Sequence, residues 1–239
     1  ELWRREGVDA SYVRARGERP TMIGVILIDD GGDSRIVIDP GALDLLAPAD
    51  VEAFAPAIAH SRVLLTQLEI PPDTVAAALA HGRQSGMTTI LNPAPARPLS
   101  RDVLSHVDIL TPNESEARVL AGLAPGDSAT DEDVAVRLLE LGVRTVVLTL
   151  GERGALIATA GGMEWCPGQP AEVVDTTGAG DAFNAALAAA LAEERTLREA
   201  VEWGNHAGAI VVAGKGVVPA LPDRARLLRS LGRLSGTAS

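Results

Sequence analysis

From Ala49 onward, short continuous apolar runs alternate with segments of helical periodicity, and this alternation limits the possible folds more than any other feature. Strands are predicted at 62–66, 88–91, 107–110 and 145–149. Helices are predicted between them, at 73–85, 99–105, 114–121 and 131–141. Runs such as Val63-Leu64-Leu65 are apolar throughout, as expected for strands buried on both faces. The sequence therefore predicts an α/β fold in three layers, α/β/α, with a mainly parallel sheet.

Two hairpins and a helical C-terminal third complete the predicted organisation. One hairpin joins the β-rich runs 21–28 and 35–38 through the turn signal Asp29–Ser34, and another spans Ala155–Cys166. Three helices are expected in the last third, at 180–193, from Thr196 toward Gly214, and at 222–231. We divide the chain into a hairpin with its connection, residues 1–48, and an α/β domain, residues 49–239.

Composition excludes several classes of function. The formal net charge is -11 and the Lys and Arg residues form no cluster, so binding to nucleic acid or to an anionic membrane surface is not expected. Cys166 is the only cysteine, which excludes an intrachain disulfide and a cysteine metal cluster. The longest apolar run, near Phe183–Ala192, is much shorter than the roughly 20 residues that span a bilayer. A cytoplasmic enzyme is therefore expected.

The segment Asp175–Asn184 carries the strongest chemical signal. A strand-like run, Glu172–Val174, leads into it and a long helix follows. Gly178 and Gly180 allow backbone conformations in which consecutive N–H groups bind an anion, and the helix N-terminus adds unpaired donors. Asp181, in the first helical turn, can then accept a proton from an attacking hydroxyl. The alternative is a glycine turn in which Asp181 only caps the helix.

This segment resembles the C-terminal signature of the ribokinase-like (pfkB) carbohydrate kinase family. Thr111–Glu116 resembles the Asn-x-x-Glu motif of that family, and Thr149–Gly154 resembles its nucleotide-binding loop. Gln67–Glu69 and Asn92–Arg97 resemble the branch of the family that phosphorylates ribose. These motifs occur in the expected order over essentially the whole chain.

The resemblance implies a role for each matching position. Asp181 would be the catalytic base, beside an anion hole formed by Gly178, Ala179 and Gly180. Glu69 would contact the sugar together with Asp181. The positions implied in ATP binding are Asn113, Thr149, Gly151, Glu152, Gly154, Gly180 and Asn205.

Two metal ions are implied by the same resemblance. Glu116 would hold Mg²⁺ through water, which suits an ion that keeps part of its hydration shell. The positions implied for K⁺ are Asp175, Thr177, Val211, Gly214 and Gly216. The family tends to have Ser where this chain has Ala220, so we expect the K⁺ site to be weaker or differently built.

Each of these roles has a simpler alternative. Asn113 and Glu116 could reflect ordinary polarity at a helix N-terminus. Glu69 could be a solvated loop carboxylate, and Asn205 with His206 could mark an exposed helix face.

The family normally carries a further N-terminal segment with an acidic sugar ligand and a glycine-rich sugar motif, and neither motif occurs in this chain. We expect the natural protein to contain such a segment, and this chain alone to bind sugar poorly and to have limited stability. The hairpin at 21–38 resembles part of the lid of the family, which covers the sugar and often pairs between subunits. The resemblance therefore implies a homodimer formed through the lid.

The predicted function is ATP-dependent phosphorylation of a sugar hydroxyl, with D-ribose converted to ribose 5-phosphate as the leading case. Another sugar, a keto-deoxy acid or a nucleoside is the alternative within the same chemistry. A sensor that binds nucleotide or sugar without catalysis belongs to a different class of function. A dinucleotide-binding oxidoreductase is disfavoured because no G-x-G-x-x-G follows a first strand.

Overall fold

The computed structural model describes residues 2–28 and 34–232. Two antiparallel strands near the N-terminal end form a separate ribbon, β1 (Ile23–Ile28) and β2 (Ser34–Asp39). In its register Val25 lies opposite Val37, and Ile23 lies opposite Asp39. The two predicted strands are therefore confirmed, whereas most of the turn signal Asp29–Ser34 lies outside the described residues.

The larger sheet has six strands in sequence order from β3 to β8. Their bounds are β3 Val63–Thr66, β4 Thr88–Leu91, β5 Ile109–Leu110, β6 Thr145–Thr149, β7 Ala155–Thr159 and β8 Gly162–Cys166. The strands β3 to β6 are parallel, and β7 and β8 add an antiparallel hairpin at one edge. The mainly parallel sheet is therefore confirmed, and the carboxyl ends of its parallel strands meet at one edge.

Helices cover both faces of this sheet. The helices of the described residues are α1 Leu2–Arg5, α2 Pro48–Ile58, α3 Pro72–Gln84, α4 Arg101–Ser105, α5 Glu114–Leu120, α6 Asp131–Glu140, α7 Ala179–Ala192, α8 Leu197–Val212, α9 Val217–Ala220 and α10 Arg224–Ser230, of which α1 buries no residue. One apolar cluster joins the sheet to α3, α4, α5 and α6, and the other joins it to α7, α8 and α10. The predicted three-layer fold is therefore confirmed.

Polar residues fix where several helices begin. Thr196 accepts a hydrogen bond from the Glu199 N–H at 3.3 Å, and the Glu199 carboxylate accepts one from the Thr196 N–H at 3.0 Å. This reciprocal pair satisfies donors that the first turn of α8 cannot pair internally, as the sequence pattern predicts. The same arrangement starts α6 at Thr130 and Asp133.

The strand-like run Glu172–Val174 does not form a strand, so this interpretation was wrong. Val173 is 64% exposed, and the Val174 N–H donates to the Val212 carbonyl at the end of α8, at 2.7 Å. The last carbonyls of a helix have no partner within the helix, and Val174 satisfies one of them. An apolar β-branched run has only a tendency to pack on a sheet. Among the described residues this run pairs with no strand.

The outer edge of β3 faces an open cavity. Among the described residues β3 pairs with β4 alone. The cavity has a volume of about 640 Å³ and lies between β3 and the N-terminal part of the chain, where Tyr12 packs edge-to-face on Phe54 at 5.0 Å.

Among the described residues no helix has both the length and the apolar character that crossing a membrane requires.

Candidate active site

The N-terminus of α7 is shaped by Gly178. Its φ of 83° lies in the left-handed region, and a Cβ at this position would approach the Val217 Cγ1 to 2.7 Å. Glycine is therefore required by both the backbone and the packing. A Cβ built at Gly180 would meet no atom within 4 Å, so the space beside the first turn is open. The Ala179 N–H donates to the Thr176 carbonyl at 3.3 Å. The other N–H groups of a first helical turn lack partners within the helix, and with the open space they make an anion site possible.

Asp181 and Glu69 lie close enough to interact. Asp181 is in the first turn of α7, and Glu69 is in the loop that follows β3. Partial burial raises the pKa of Asp181, and the pKa of Glu69 is raised first by burial and then by the negative charge of Asp181. Both side chains remain accessible to solvent. The structure thus brings together a carboxylate from the sheet side and one from α7.

A chain of buried hydrogen bonds connects the sheet to α7. Asn92 donates to the Thr111 carbonyl at 2.9 Å, and the Thr111 hydroxyl donates to the Asn184 carboxamide oxygen at 2.6 Å. The Asn184 nitrogen in turn donates to the Gly180 carbonyl at 2.9 Å. Thr111 and Asn184 are 1% and 2% exposed. Buried polar groups with satisfied partners fix geometry, so this chain sets the position of the first turn of α7 relative to β4 and β5.

Sequence reasoning assigned no separate role to Thr111 or Asn184. Each lies inside one of the motifs quoted above. The two residues are hydrogen-bonded to each other although they are 73 residues apart in the chain. The available signal was a polar residue at a position that the surrounding pattern predicts to be buried. Such a residue needs a partner, although the sequence does not say which one.

The loop at Thr149–Gly154 is tied to the segment before α5. The Thr149 N–H donates to the Pro112 carbonyl at 2.9 Å, and the Leu150 N–H donates to the Gly154 carbonyl at 2.8 Å. Gly154 has a φ of 90°, and a Cβ there would approach the Cys166 carbonyl to 2.2 Å. The loop therefore follows a tight path that only glycine permits at this point.

Arg153 anchors the same loop to two helix N-termini. Its guanidinium donates to Asp131 at the start of α6 at 2.6 Å, and to Glu114 at the start of α5 at 3.0 Å. The loop at 149–154 is thereby held beside Asn113. Gly151, with a φ of 58°, and Glu152 form the short 3₁₀ turn Gly151–Arg153 of this loop and are exposed.

Asn113 and Glu116 form a reciprocal cap on α5. The Asn113 side-chain oxygen accepts from the Glu116 N–H, and the Glu116 Oε2 accepts from the Asn113 N–H, both at 2.9 Å. Burial raises the pKa of Glu116, and the Asn113 N–H partly opposes that shift. Both residues therefore do cap the helix, as the simpler alternative supposes. One carboxylate oxygen of Glu116 is left for a hydrated cation, so the residue fits the implied role with Mg²⁺.

Asn205 is buried, so the simpler alternative, an exposed helix face at this position, was wrong. It is 8% exposed, and its side-chain nitrogen donates to the Cys166 and Pro167 carbonyls at 3.2 and 3.1 Å. Asn205 therefore holds the chain that leaves β8 against α8.

The residues implied for K⁺ come from two segments that the structure brings together. The Asp175 carboxylate accepts from the Thr177 N–H at 2.9 Å and from the Gly216 N–H at 3.2 Å. These bonds, led by the one from Thr177, lower the pKa of Asp175. Val211 and Gly214 are joined by a backbone hydrogen bond of 3.0 Å at the end of α8.

The donors available for a cation at this point are mainly backbone carbonyls. The described residues contain no group of three His, Cys, Asp or Glu side chains arranged around a metal. Backbone oxygens and one carboxylate suit a weakly held monovalent cation, so the residues present fit K⁺. Ala220 is buried beside Gly214, and its methyl group offers no oxygen to a cation.

The chain is similar to sugar kinases of known sequence and structure. The model of the pfkB family carbohydrate kinases matches residues 1–224. The ribokinase of Haemophilus influenzae is 35% identical over 227 residues, which cover 95% of this chain and 74% of that protein. The crystal structure of a Thermotoga maritima ribokinase aligns with a TM-score of 0.85 at 33% identity, covering 97% of this chain and 75% of that one. An Arabidopsis thaliana ribokinase, solved with ribose and ATP, aligns with a TM-score of 0.84 at 30% identity, covering 94% and 73%.

The similarity to these kinases and the shared α/β fold identify the chain as a phosphotransferase. The chain belongs to the pfkB family of carbohydrate kinases. This confirms the predicted family, fold and class of enzyme, an ATP-dependent carbohydrate kinase.

Proposed function

We propose that this kinase transfers the γ-phosphate of ATP to a hydroxyl of D-ribose and releases ribose 5-phosphate and ADP. The observation that carries the proposal is the position of Asp181, which lies in the first turn of α7 beside Gly178 and close to Glu69. The naming of the relatives as ribokinases, and the ribose and ATP in the A. thaliana protein, support ribose over other sugars.

In the proposed reaction Asp181 accepts the proton of the attacking hydroxyl. The hydroxyl oxygen forms a bond to the γ-phosphorus, and the bond between that phosphorus and the β,γ-bridging oxygen breaks. The electron pair of the broken bond leaves with ADP. The N–H groups of residues 178–181 face the charge that spreads over the transferred group. General-base help of this kind accelerates a reaction by roughly 10²–10⁴-fold.

The nucleotide would lie across the carboxyl ends of the parallel strands, where α/β sheets bind ligands. Asn113, Asn205 and the loop at 149–154 are the proposed contacts with ATP. The tight path of that loop and its anchor through Arg153 support this assignment, because a fixed backbone presents its N–H groups at constant positions. Glu69 is the proposed contact with the sugar.

Two cations complete the proposal. Glu116 would hold Mg²⁺ through water, and Mg²⁺ would neutralise charge on the phosphates when bound. Asp175 and the carbonyls of Thr177, Val211, Gly214 and Gly216 would surround K⁺ beside the anion hole. The hydrogen bond between Asp175 and the Gly216 N–H supports this, because it joins the two segments at that point.

We also propose that residues 1–48 act as part of a lid and as the contact of a homodimer, while residues 49–239 bind nucleotide and carry out catalysis. The separate ribbon β1–β2 supports the division, since it is not paired with the six-stranded sheet. A cytoplasmic location stays a prediction.

The test is release of ADP by the complete gene product with MgATP and a panel of D-ribose, other sugars, a keto-deoxy acid and nucleosides. We expect turnover to depend on D-ribose and to fall by about 10²-fold or more in Asp181→Asn, with ATP binding retained. The matched control is Asp102→Asn, which alters an exposed carboxylate in the first turn of α4. Turnover with another member of the panel would keep the mechanism and change the substrate. ATP binding without turnover on any member would overturn the proposal in favour of a sensor.

A further inference from the structure

The loop that carries Glu69 is bound along its length to the loop that follows β4. The Asn92 N–H donates to the Thr66 carbonyl, and the Leu68 N–H donates to the Ala94 carbonyl, each at 2.9 Å. These bonds continue the pairing of β3 and β4 beyond the ends of the strands. The position of Glu69 therefore depends on the segment 92–97 as well as on β3.

Arg97 adds hydrogen bonds between the two loops on either side of Glu69. One terminal nitrogen of its guanidinium, Nη2, donates to the Leu68 carbonyl at 2.6 Å and to the Ile70 carbonyl at 3.1 Å. Leu68 and Ile70 are the two neighbours of Glu69 in the chain. Arg97 thus holds the backbone on both sides of Glu69, and a charged donor makes these bonds stronger than neutral ones.

An arginine at this position is not explained by packing alone. The Arg97 Nε is buried and has no hydrogen-bond partner among the described residues. A buried donor without a partner destabilises the folded state. The unpaired Nε therefore lowers the stability of the fold, which a hydrophobic side chain of similar length would not do. The two hydrogen bonds around Glu69 are the contribution that only a donor such as Arg97 can make.

We infer that Arg97 is a positioning residue for the sugar site, which fixes Glu69 in the orientation that binds the sugar. The inference rests on the proposed sugar kinase activity and names a determinant of that same site. Arg97 acts on the main chain of Glu69 and leaves the nucleotide loop at 149–154 unaffected, because its two acceptors both lie in the sugar loop.

The experiment compares Arg97→Met with the wild type, using D-ribose and ATP as the varied substrates. We expect KM for ribose to rise by about 10–100-fold, since small displacements of a binding group have effects of this size. We expect KM for ATP to stay within about twofold, because the ATP contacts lie on other elements. Arg97→Lys, which keeps a cation that can donate to both carbonyls, should recover part of the loss.

Arg118→Met is the matched control. Arg118 also donates to two backbone carbonyls, those of Asp127 and Ala129 at 3.2 and 3.0 Å, but it does so at the end of α5, away from Glu69. This variant should leave both KM values unchanged. Circular dichroism and melting of each variant establish that it is folded. If Arg118→Met raised KM for ribose as much as Arg97→Met, a general loss of stability would be the cause and the inference would be overturned.

A double variant tests whether Arg97 acts through Glu69. In the Glu69→Gln background, Arg97→Met should raise KM for ribose by less than about twofold, because the group it positions is already altered. An equal factor in both backgrounds would overturn the inference while leaving the kinase assignment in place. Wild-type protein without ribose-dependent turnover would instead overturn the proposed function, so the two failures are distinguishable.

Discussion

At the scale of single residues, Gly178 and Gly86 have nearly the same backbone conformation in very different surroundings. Their φ angles are 83° and 74°. A Cβ at Gly178 would approach the Val217 Cγ1 to 2.7 Å, whereas a Cβ at Gly86 would meet nothing within 4 Å. Alanine variants at the two positions therefore share the free-energy cost of a left-handed backbone. Only the variant at Gly178 also displaces the turn that forms the anion hole.

We predict that Gly86→Ala lowers the free energy of unfolding by about 1 kcal/mol, the cost of a left-handed residue with a Cβ. Gly178→Ala should lower it by at least as much, because its Cβ also meets Val217. Only Gly178→Ala should also lower kcat, by about 10–100-fold, because its Cβ displaces Val217 or the turn that presents the N–H donors. Chemical denaturation and steady-state kinetics measure the two effects. Equal kcat values for both variants would show that the turn at Gly178 does not take part in catalysis.

The raised pKa of Asp181 has a consequence for stability. A carboxyl group whose pKa is higher in the folded than in the unfolded state stabilises the fold fully below its unfolded pKa and loses that contribution as the pH rises through the folded value. At pH 7 the ionised Asp181 therefore weakens the fold, because burial is what raises its pKa.

We predict that Asp181→Asn melts at the same or a higher temperature than the wild type at pH 7. The difference should shrink as the pH falls through the raised pKa, because the wild-type carboxyl then becomes neutral as well. Melting curves over a series of pH values measure this. A variant that melts lower at pH 7 would indicate that Asp181 has a structural role, and its loss of activity could no longer be read as loss of the base.

At the scale of elements, the packing of α7 against α8 depends on a glycine. A Cβ at Gly204 in α8 would approach the Phe183 ring carbons of α7 to 2.7 Å, while one at Gly208 would lie 3.6 Å from the Ala179 carbonyl, an ordinary contact. Both positions lie within the same helix, where alanine is otherwise preferred over glycine by roughly 0.5–1 kcal/mol.

We predict opposite effects for the two alanine variants. Gly204→Ala should destabilise the protein by about 1–3 kcal/mol, because a rigid ring in a packed core cannot move aside without strain. Gly208→Ala should be neutral or stabilising by up to about 1 kcal/mol. Urea denaturation measures both. A stable Gly204→Ala protein would mean that α7 and α8 can separate slightly at no cost.

Elements with a local signature could be predicted from the sequence, and contacts between distant segments could not. The apolar run at Val63–Leu65 predicted β3, and the pattern at Thr196 predicted the start of α8. The bonds from Thr111 to Asn184 and from Arg97 to Leu68 have no such signature, because each partner lies far away in the chain. The strand predicted at Glu172–Val174 is absent for the same reason. Whether an apolar segment forms a strand depends on a neighbouring strand with which it can pair.

The candidate site divides in the same way. The motif around Gly178 and Asp181 is contiguous, so its chemistry could be predicted. The resemblance implies that Glu69 and Asp181 contact the same sugar, but no local pattern in the sequence connects them. In the folded structure the two carboxylates lie close enough for their charges to interact. Likewise, the buried position of Asn205 depends on the carbonyls of Cys166 and Pro167, which the sequence does not connect to α8.

At the scale of the whole molecule, the ribbon β1–β2 presents an apolar face that nothing covers among the described residues. Val25 and Val37 lie opposite one another and share a face with Ile23, and Asp39, opposite Ile23, is the one charged residue of this set. The three apolar side chains are 51%, 60% and 55% exposed. A two-stranded ribbon is marginally stable by itself, so a second ribbon packed on this face would stabilise it.

We predict that the protein forms a homodimer through this face and that Val37→Lys converts it to a monomer, because a lysine opposite Val25 would place a charge in the contact. Val136→Lys is the matched control, since Val136 is a 42% exposed valine on α6, outside the ribbon. Sedimentation velocity over a range of concentrations distinguishes the species. A wild-type protein that is monomeric throughout, or a dimer that persists in Val37→Lys, would contradict the ribbon as the contact. If the lid also covers the sugar, the monomeric variant should show a raised KM for ribose at unchanged KM for ATP, because the ribbon would lose the support of its partner.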